Sequence, residues 1–319
     1  MGDRRLSRLM AQETEPENEA AIKRGLNIYL YYWTIPVFLI FILINYYTPI
    51  LKIGSLDIGL MISIVTFLFG FLITVTFSML LTRVSSLKDA LATETGRLAS
   101  IFLLSKHLGT KFNQAVRQRI DDYTIFTLRE YTNYSLSRES IYGIHEDISL
   151  MELKTSNQQA AANSFLYILG ELEPIREKLE YLTGRRVEWS LRFTNLILGT
   201  ILIILLFLNR GDAFSNALFV ILSTIIIFIL FILEDYDNLK IGDYITNISN
   251  SEQLFDLIGT ERYYPEFVLR GVKLERGKTY RIGIYDPSAK AEKIFRITYN
   301  PKFFFRVSEI IRRVRRKSV

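Results

Sequence analysis

The chain has 319 residues, 49% of them hydrophobic and 13% aromatic, with a mean hydropathy of +0.18, which is high for a soluble protein and ordinary for one that is part membrane, part soluble. Its 39 basic and 33 acidic residues leave a net charge of +6, but the basic excess follows membrane topology and the tails, so it gives no argument for nucleic-acid binding. The absence of cysteine excludes disulfides, thiolate catalysis and zinc–thiolate sites, and the two histidines, His107 and His145, have no second histidine at ligand spacing, so no metal or other cofactor is expected.

Residues 1–25 form a polar, charged tail expected on the cytoplasmic side. Four apolar runs follow along the chain: Leu26–Tyr47, Ile58–Thr82, Leu191–Leu208 and Ala217–Leu233. Each is near the ~20 residues that an α-helix needs to cross the hydrocarbon core. The first carries Tyr29, Tyr31, Tyr32 and Trp33 near one end and Tyr46 and Tyr47 at the other, as an interfacial aromatic belt would. Lys52 is the only basic residue between runs one and two, and Arg210 the only one between runs three and four. The remaining Lys and Arg lie in the tail and the long segments, so both termini and the middle region are expected in the cytoplasm of a multi-pass cell-membrane protein.

Run two continues past Arg83 with Leu87, Leu91, Leu98 and Ile101 at helical spacing, which predicts a helix projecting well beyond the bilayer. Gly109 is placed as its C-cap and Thr110 as the next N-cap. A polar loop is expected around Ser135–Glu146, and two further helical patterns follow, the last with Leu169, Leu172, Ile175, Leu179 and Leu182 on one face and Pro174 starting or bending a segment. Glu94 is within reach of Arg97 on its own helix, and a buried role between subunits is the alternative. Arg185, Arg186 and Arg192 read as interface anchors of helix three.

After run four, "SNSEQLFDL" matches a capping box, Ser249 with Glu252, opening a short helix. Phe267–Leu274, Thr279–Tyr285 and Glu292–Tyr299 then read as strands. The chain closes on a basic amphipathic helix whose Arg312, Arg313, Arg315, Arg316 and Lys317 are placed to bind a membrane surface. No Walker loop, Rossmann fingerprint, HExxH or GxSxG is present, and nothing argues for an enzyme.

Run two holds the candidate site. At 100° per residue, Ser63, Phe67, Gly70, Phe71, Thr74 and Ser78 fall within an arc of about 100° that carries no charge. The opposite face holds Val65, Phe69, Leu72, Ile73, Met79 and Leu80, with Thr76 its only hydroxyl. The polar side is expected to face protein or water. One reading is close helix packing through small and hydroxyl residues. The sharper one is several copies of this helix around an axis, with phenylalanine rings forming an apolar constriction that gates by dewetting. Ring edges carry partial positive charge, so rings presented edge-on favour an anion.

"SIVTFLFGFLITVTFSMLLTR", running into a helical domain, resembles the second helix of bestrophins, and more closely the prokaryotic bestrophin-like domain family. The shared pattern is two helices, a helical domain with an acid soon after helix two (here Glu94), two more helices, and a "GDYITNIS" type strand before a final helix. It covers about residues 25–258. The resemblance implies a homopentameric anion channel with a neck lined by helix two, in which Phe67, Gly70 and Phe71 match the neck pattern; Ser63 stands where bestrophins carry a bulky aliphatic. Glu234, Asp235 and Asp237 stand near the place of the bestrophin calcium clasp, but the run is short and broken by Tyr236 and reads as solvated acids closing a membrane helix.

The expected architecture is mainly α: four transmembrane helices and a helical cytoplasmic bundle, plus a small C-terminal β-module and a terminal amphipathic helix. Its regions are the tail at 1–25, transmembrane helices 1 and 2 at 26–83, and the helical domain at 84–190. Transmembrane helices 3 and 4 follow at 191–233, then a C-terminal region at 234–319 with the β-module at about 267–299. The expected function is an oligomeric channel for small inorganic anions such as chloride, embedded in lipid. The rival is a membrane-anchored scaffold or sensor whose cytoplasmic domains bind partners without conduction.

Overall fold

A computed structural model of the chain describes residues 33–50, 58–129, 138–238, 243–269, 272, 274–286 and 291–299. In chain order these form α1 (Trp33–Tyr47), α2 (Ile58–Leu108), α3 (Thr110–Arg129), α4 (Arg138–Ser149), α5 (Ser156–Gly184), α6 (Trp189–Leu208), α7 (Ala213–Asp237) and α8 (Asp243–Ile258). A short strand β1 (Tyr263–Pro265), a 3-10 turn (Glu266–Val268), and strands β2 (Thr279–Asp286) and β3 (Ala291–Thr298) follow. The chain divides into two compact units, one made of residues 26–85 and 185–241, the other of residues 1–25, 86–184 and 242–319.

In the first unit, α1, the apolar part of α2, α6 and α7 pack around Phe41, Phe69, Leu202, Leu206, Phe219, Val220 and Ile226. Phe219 meets Phe41 and Phe207 edge-on, each with ring centroids 5.6 Å apart. Gly199 makes this approach possible: a Cβ there would lie 3.3 Å from both the Ile226 Cγ2 and the Phe69 ring, which leaves almost no room for a side chain. A buried hydrogen bond from Asn195 Nδ2 to Thr76 Oγ1, 2.7 Å, ties α6 to α2. Helices α2 and α7 are each long and apolar enough to cross a bilayer, and so is the stretch ending at Leu208 that contains α6. The described part of α1 has 15 residues, and the start of the first expected span, Leu26 onward, lies outside the described residues.

The second unit is a helical bundle with a sheet beside it. Leu87, Leu91, Leu98 and Ile101 of α2 are buried as their spacing predicts, together with Phe112, Val116 and Ile120 of α3, Ile141, Ile144 and Ile148 of α4, and Phe165, Leu169, Leu172 and Leu179 of α5. Gly109 joins α2 to α3 at φ +127°, a conformation that favours glycine over residues with a Cβ. Where a polar loop is expected around Ser135–Glu146, the chain is instead helical from Arg138 to Ser149, because Ile141, Ile144 and Ile148 recur at helical spacing and are buried. Pro174 lies inside α5 and does not start a new segment.

The C-terminal region departs from the sequence reading in two places. The capping box expected at Ser249 and Glu252 lies in mid-helix, because α8 already begins at Asp243 and "DYITNIS" enters it as helix rather than strand. The Glu252 carboxylate instead accepts from the Tyr264 hydroxyl at 2.6 Å and pairs with Arg262 at 3.1 Å. The first strand sits at Tyr263–Pro265 rather than Phe267–Leu274. Tyr263 pairs in parallel with Arg281, and Pro265, which has no N–H to extend a ladder, leads into the 3-10 turn. The other two strands match their expected places, pairing antiparallel from Thr279↔Thr298 to Asp286↔Ala291. Arg281 of β2 forms a two-pronged pair with Asp121 of α3, which fixes the sheet to the bundle.

Candidate pore-lining face of α2

Helix α2 presents two faces to two environments. Phe69 and Thr76 are 5% and 2% exposed, held against α6 and the cluster around Phe219. On the other side, Phe67 is 72% and Phe71 60% exposed, and Ser63, Gly70, Thr74 and Ser78 are exposed with them. All six residues of the predicted arc therefore share one uncovered face of the protomer. A Cβ added at Gly70 would meet nothing within 4 Å, unlike one at Gly199. Only 6% of the apolar stretch of α2 is buried, against 33% of that of α7.

Several hydroxyls on this helix are satisfied locally. Thr74 donates to the Gly70 carbonyl at 2.7 Å, Ser63 to Gly59 at 3.0 Å and Thr82 to Ser78 at 2.9 Å. Such bonds to the preceding turn remove most of the cost of placing a hydroxyl in an apolar medium.

Past its apolar stretch, α2 meets charges that the sequence pattern did not bring together. Arg83 Nη1 donates to the Asp237 carbonyl at 3.1 Å and its carboxylate at 3.3 Å. The same carboxylate accepts from the Val187 backbone N–H at 2.7 Å and lies 3.4 Å from Arg192 Nη1. Arg192 also pairs with Glu234, whose carboxylate takes an Asn238 side-chain bond of 2.8 Å. Asp237 is thus a buried hub between α2, the segment before α6 and the end of α7, not a solvated acid; its side chain is 3% exposed and that of Arg83 9%. Arg192 serves this hub rather than acting as an interface anchor alone. The signal for it in the sequence is the charge flanking three of the apolar runs: Arg83 after run two, Arg192 at the start of run three, and Glu234 to Asp237 after run four.

A second arginine organises the opposite end of the same helices. Arg210 Nη1 donates to Thr48 Oγ1 at 2.9 Å, and Nη2 to the Pro49 carbonyl at 3.3 Å. Its guanidinium lies 3.9 Å from the centre of the Phe207 ring. Asp212 then caps α7, accepting from the Phe214 and Ser215 backbone N–H groups at 2.8 and 2.9 Å.

Glu94 does not pair with Arg97, as its spacing suggests. It is buried and accepts a short hydrogen bond from the Tyr123 hydroxyl, while Arg97 pairs with Glu171 of α5 at 2.6 Å. The i,i+3 pair loses because Arg97 lies on the exposed side of α2 and Glu94 on the buried side. Arg312, Arg313, Arg315, Arg316 and Lys317 lie outside the described residues.

The family model of the bestrophin-like domain matches residues 36–244, about two thirds of the chain, from α1 to the first turn of α8. The three-stranded sheet lies beyond the matched span. No curated protein and no solved structure matches the chain.

Proposed function

The chain belongs to the bestrophin-like domain family, and from that premise we propose that this multi-pass membrane protein is an oligomeric channel passing small anions such as chloride through a conduit lined by α2. One observation carries the reading. Phe67 and Phe71, one helical turn apart, point away from the protomer's own core while Phe69 between them is buried in it. A helix with so little of its apolar stretch covered, and with glycine and hydroxyls beside its outward rings, suits a shared axis between copies. The bestrophin resemblance makes five the expected number.

In that arrangement Phe67 and Phe71 form two apolar rings about 5.4 Å apart along the axis. The narrow zone excludes water when closed, and ring edges offer weak positive potential to a passing anion. Back-bonded Thr74 and Ser63 line the path without fixed charge, so conduction rests on partial dehydration and not on a tight site. By the distribution of Lys and Arg, both termini and the helical bundle belong to the cytoplasmic side.

Chloride flux from vesicles carrying the full chain tests this directly. The Phe67→Ala/Phe71→Ala variant is expected to raise flux about tenfold or hold the path open, while Phe69→Ala leaves it nearly unchanged and lowers thermal stability by about 3 kcal/mol through the lost packing. If assembled wild type and double variant are both silent, the scaffold reading takes its place.

A further inference from the structure

Three helices of the bundle enclose one carboxyl group. Glu94 of α2 is 4% exposed, Tyr123 of α3 1% and Arg176 of α5 3%. The Tyr123 hydroxyl donates to the Glu94 carboxylate. The Arg176 guanidinium lies 5.4 Å from the Tyr123 ring centre, so three buried polar side chains from α5, α3 and α2 are brought together. The groups acting on Glu94 are Tyr123 and Arg176. Neighbouring charges are committed elsewhere: Arg97 to Glu171, and Glu173 to Arg176 itself at 3.8 Å.

A purely packing role needs no ionisable group here, since an enclosed carboxyl strains the bundle whenever it is charged. We propose that Glu94 is a proton-sensing site, exchanging a proton inside the bundle so that its charge state sets how firmly α2 is held to α3 and α5. Burial, the largest influence, pushes its pKa up from 4.5 to about 7, against the pull of the Tyr123 hydrogen bond and the Arg176 charge. Both states are therefore populated near neutral pH. The folded protein holds this proton more tightly than the unfolded chain does. The associated stability is fully present below about pH 4.5 and is lost as pH rises through about 7. Helix α2 runs unbroken from Ile58 to Leu108, so the segment that loosens is continuous with the one bearing Phe67 and Phe71. Resting on the channel reading above, the site makes conduction depend on pH.

The full chain in lipid vesicles, as wild type, Glu94→Gln and Tyr123→Phe, tests this. Infrared difference titration is expected to show a buried protonated-carboxyl stretch that disappears with a midpoint near pH 7 in the wild type and is missing from Glu94→Gln. In Tyr123→Phe the midpoint should move to higher pH, because the lost hydrogen bond favoured the ionised form; a merely structural tyrosine would leave it in place. The thermal midpoint should fall by roughly 5–10 °C between about pH 5 and about pH 8 in the wild type and stay level in Glu94→Gln. Chloride flux should vary over the same interval only while Glu94 is present. A carboxyl band in the ordinary carboxylate range, an unmoved midpoint in Tyr123→Phe, or pH dependence retained by Glu94→Gln overturns the proposal. Silent flux in every variant with the titration intact overturns the channel reading and supports the proton site alone.

Discussion

At the scale of single residues, Asp237 joins three segments of the membrane unit. It accepts from Arg83 and from the Val187 N–H and faces Arg192, all while 3% exposed. Asp237→Ala removes the shared anion and leaves two cations close together, so a loss of about 3 kcal/mol is expected. Chemical unfolding of purified protein in mild detergent measures it, and Asp237→Asn should restore part of the loss by accepting from Val187 again. The partners are 50 and 154 residues from Asp237. No local periodicity links positions so far apart, which is why the sequence read this acid as solvated. Glu94 was misread for the related reason that spacing along one helix reveals which charges are near, not which side is buried.

At the scale of elements, periodicity carried far. The buried stripe Leu87, Leu91, Leu98 and Ile101 and the uncovered arc from Ser63 to Ser78 both follow from 100° per residue, because α2 is long, regular and free of proline. The short strand at Tyr263–Pro265 was not legible. Three residues give no alternation to read, and their pairing with β2 is decided by a segment 18 positions away in register. Two glycines give opposite expectations. Gly199→Leu forces a side chain between Phe69, Ile226 and Leu230 and should destabilise the protomer by about 1–3 kcal/mol. Gly70→Leu meets open space within the protomer, so its unfolding curve should match the wild type. If copies of α2 share an axis, the same change should abolish assembly, as read by oligomer mass in detergent.

For the whole molecule, that mass decides between the two functional readings first. A ring is expected, and a monomer or dimer at working concentration would favour the scaffold. The C-terminal segment adds a separate expectation. A peptide of residues 301–319 should bind anionic vesicles at low salt and release as salt rises, since each basic residue near such a surface contributes about 1 kcal/mol. The family span was legible because bestrophin-like features lie in the helices, whereas the sheet falls outside the matched span and its role is not set by the membership. The contact between Arg83 and Asp237 also has a meaning in time. Arg83 is added to the chain 154 residues before Asp237, which at about 5–20 residues per second is roughly 8–30 seconds of synthesis. Throughout that interval the nascent chain must keep a cation at the end of a membrane helix without its final counter-ion. The helix that ends at Asp237 is therefore the one that locks the second membrane helix, and a chain interrupted before it would leave Arg83 without that counter-ion.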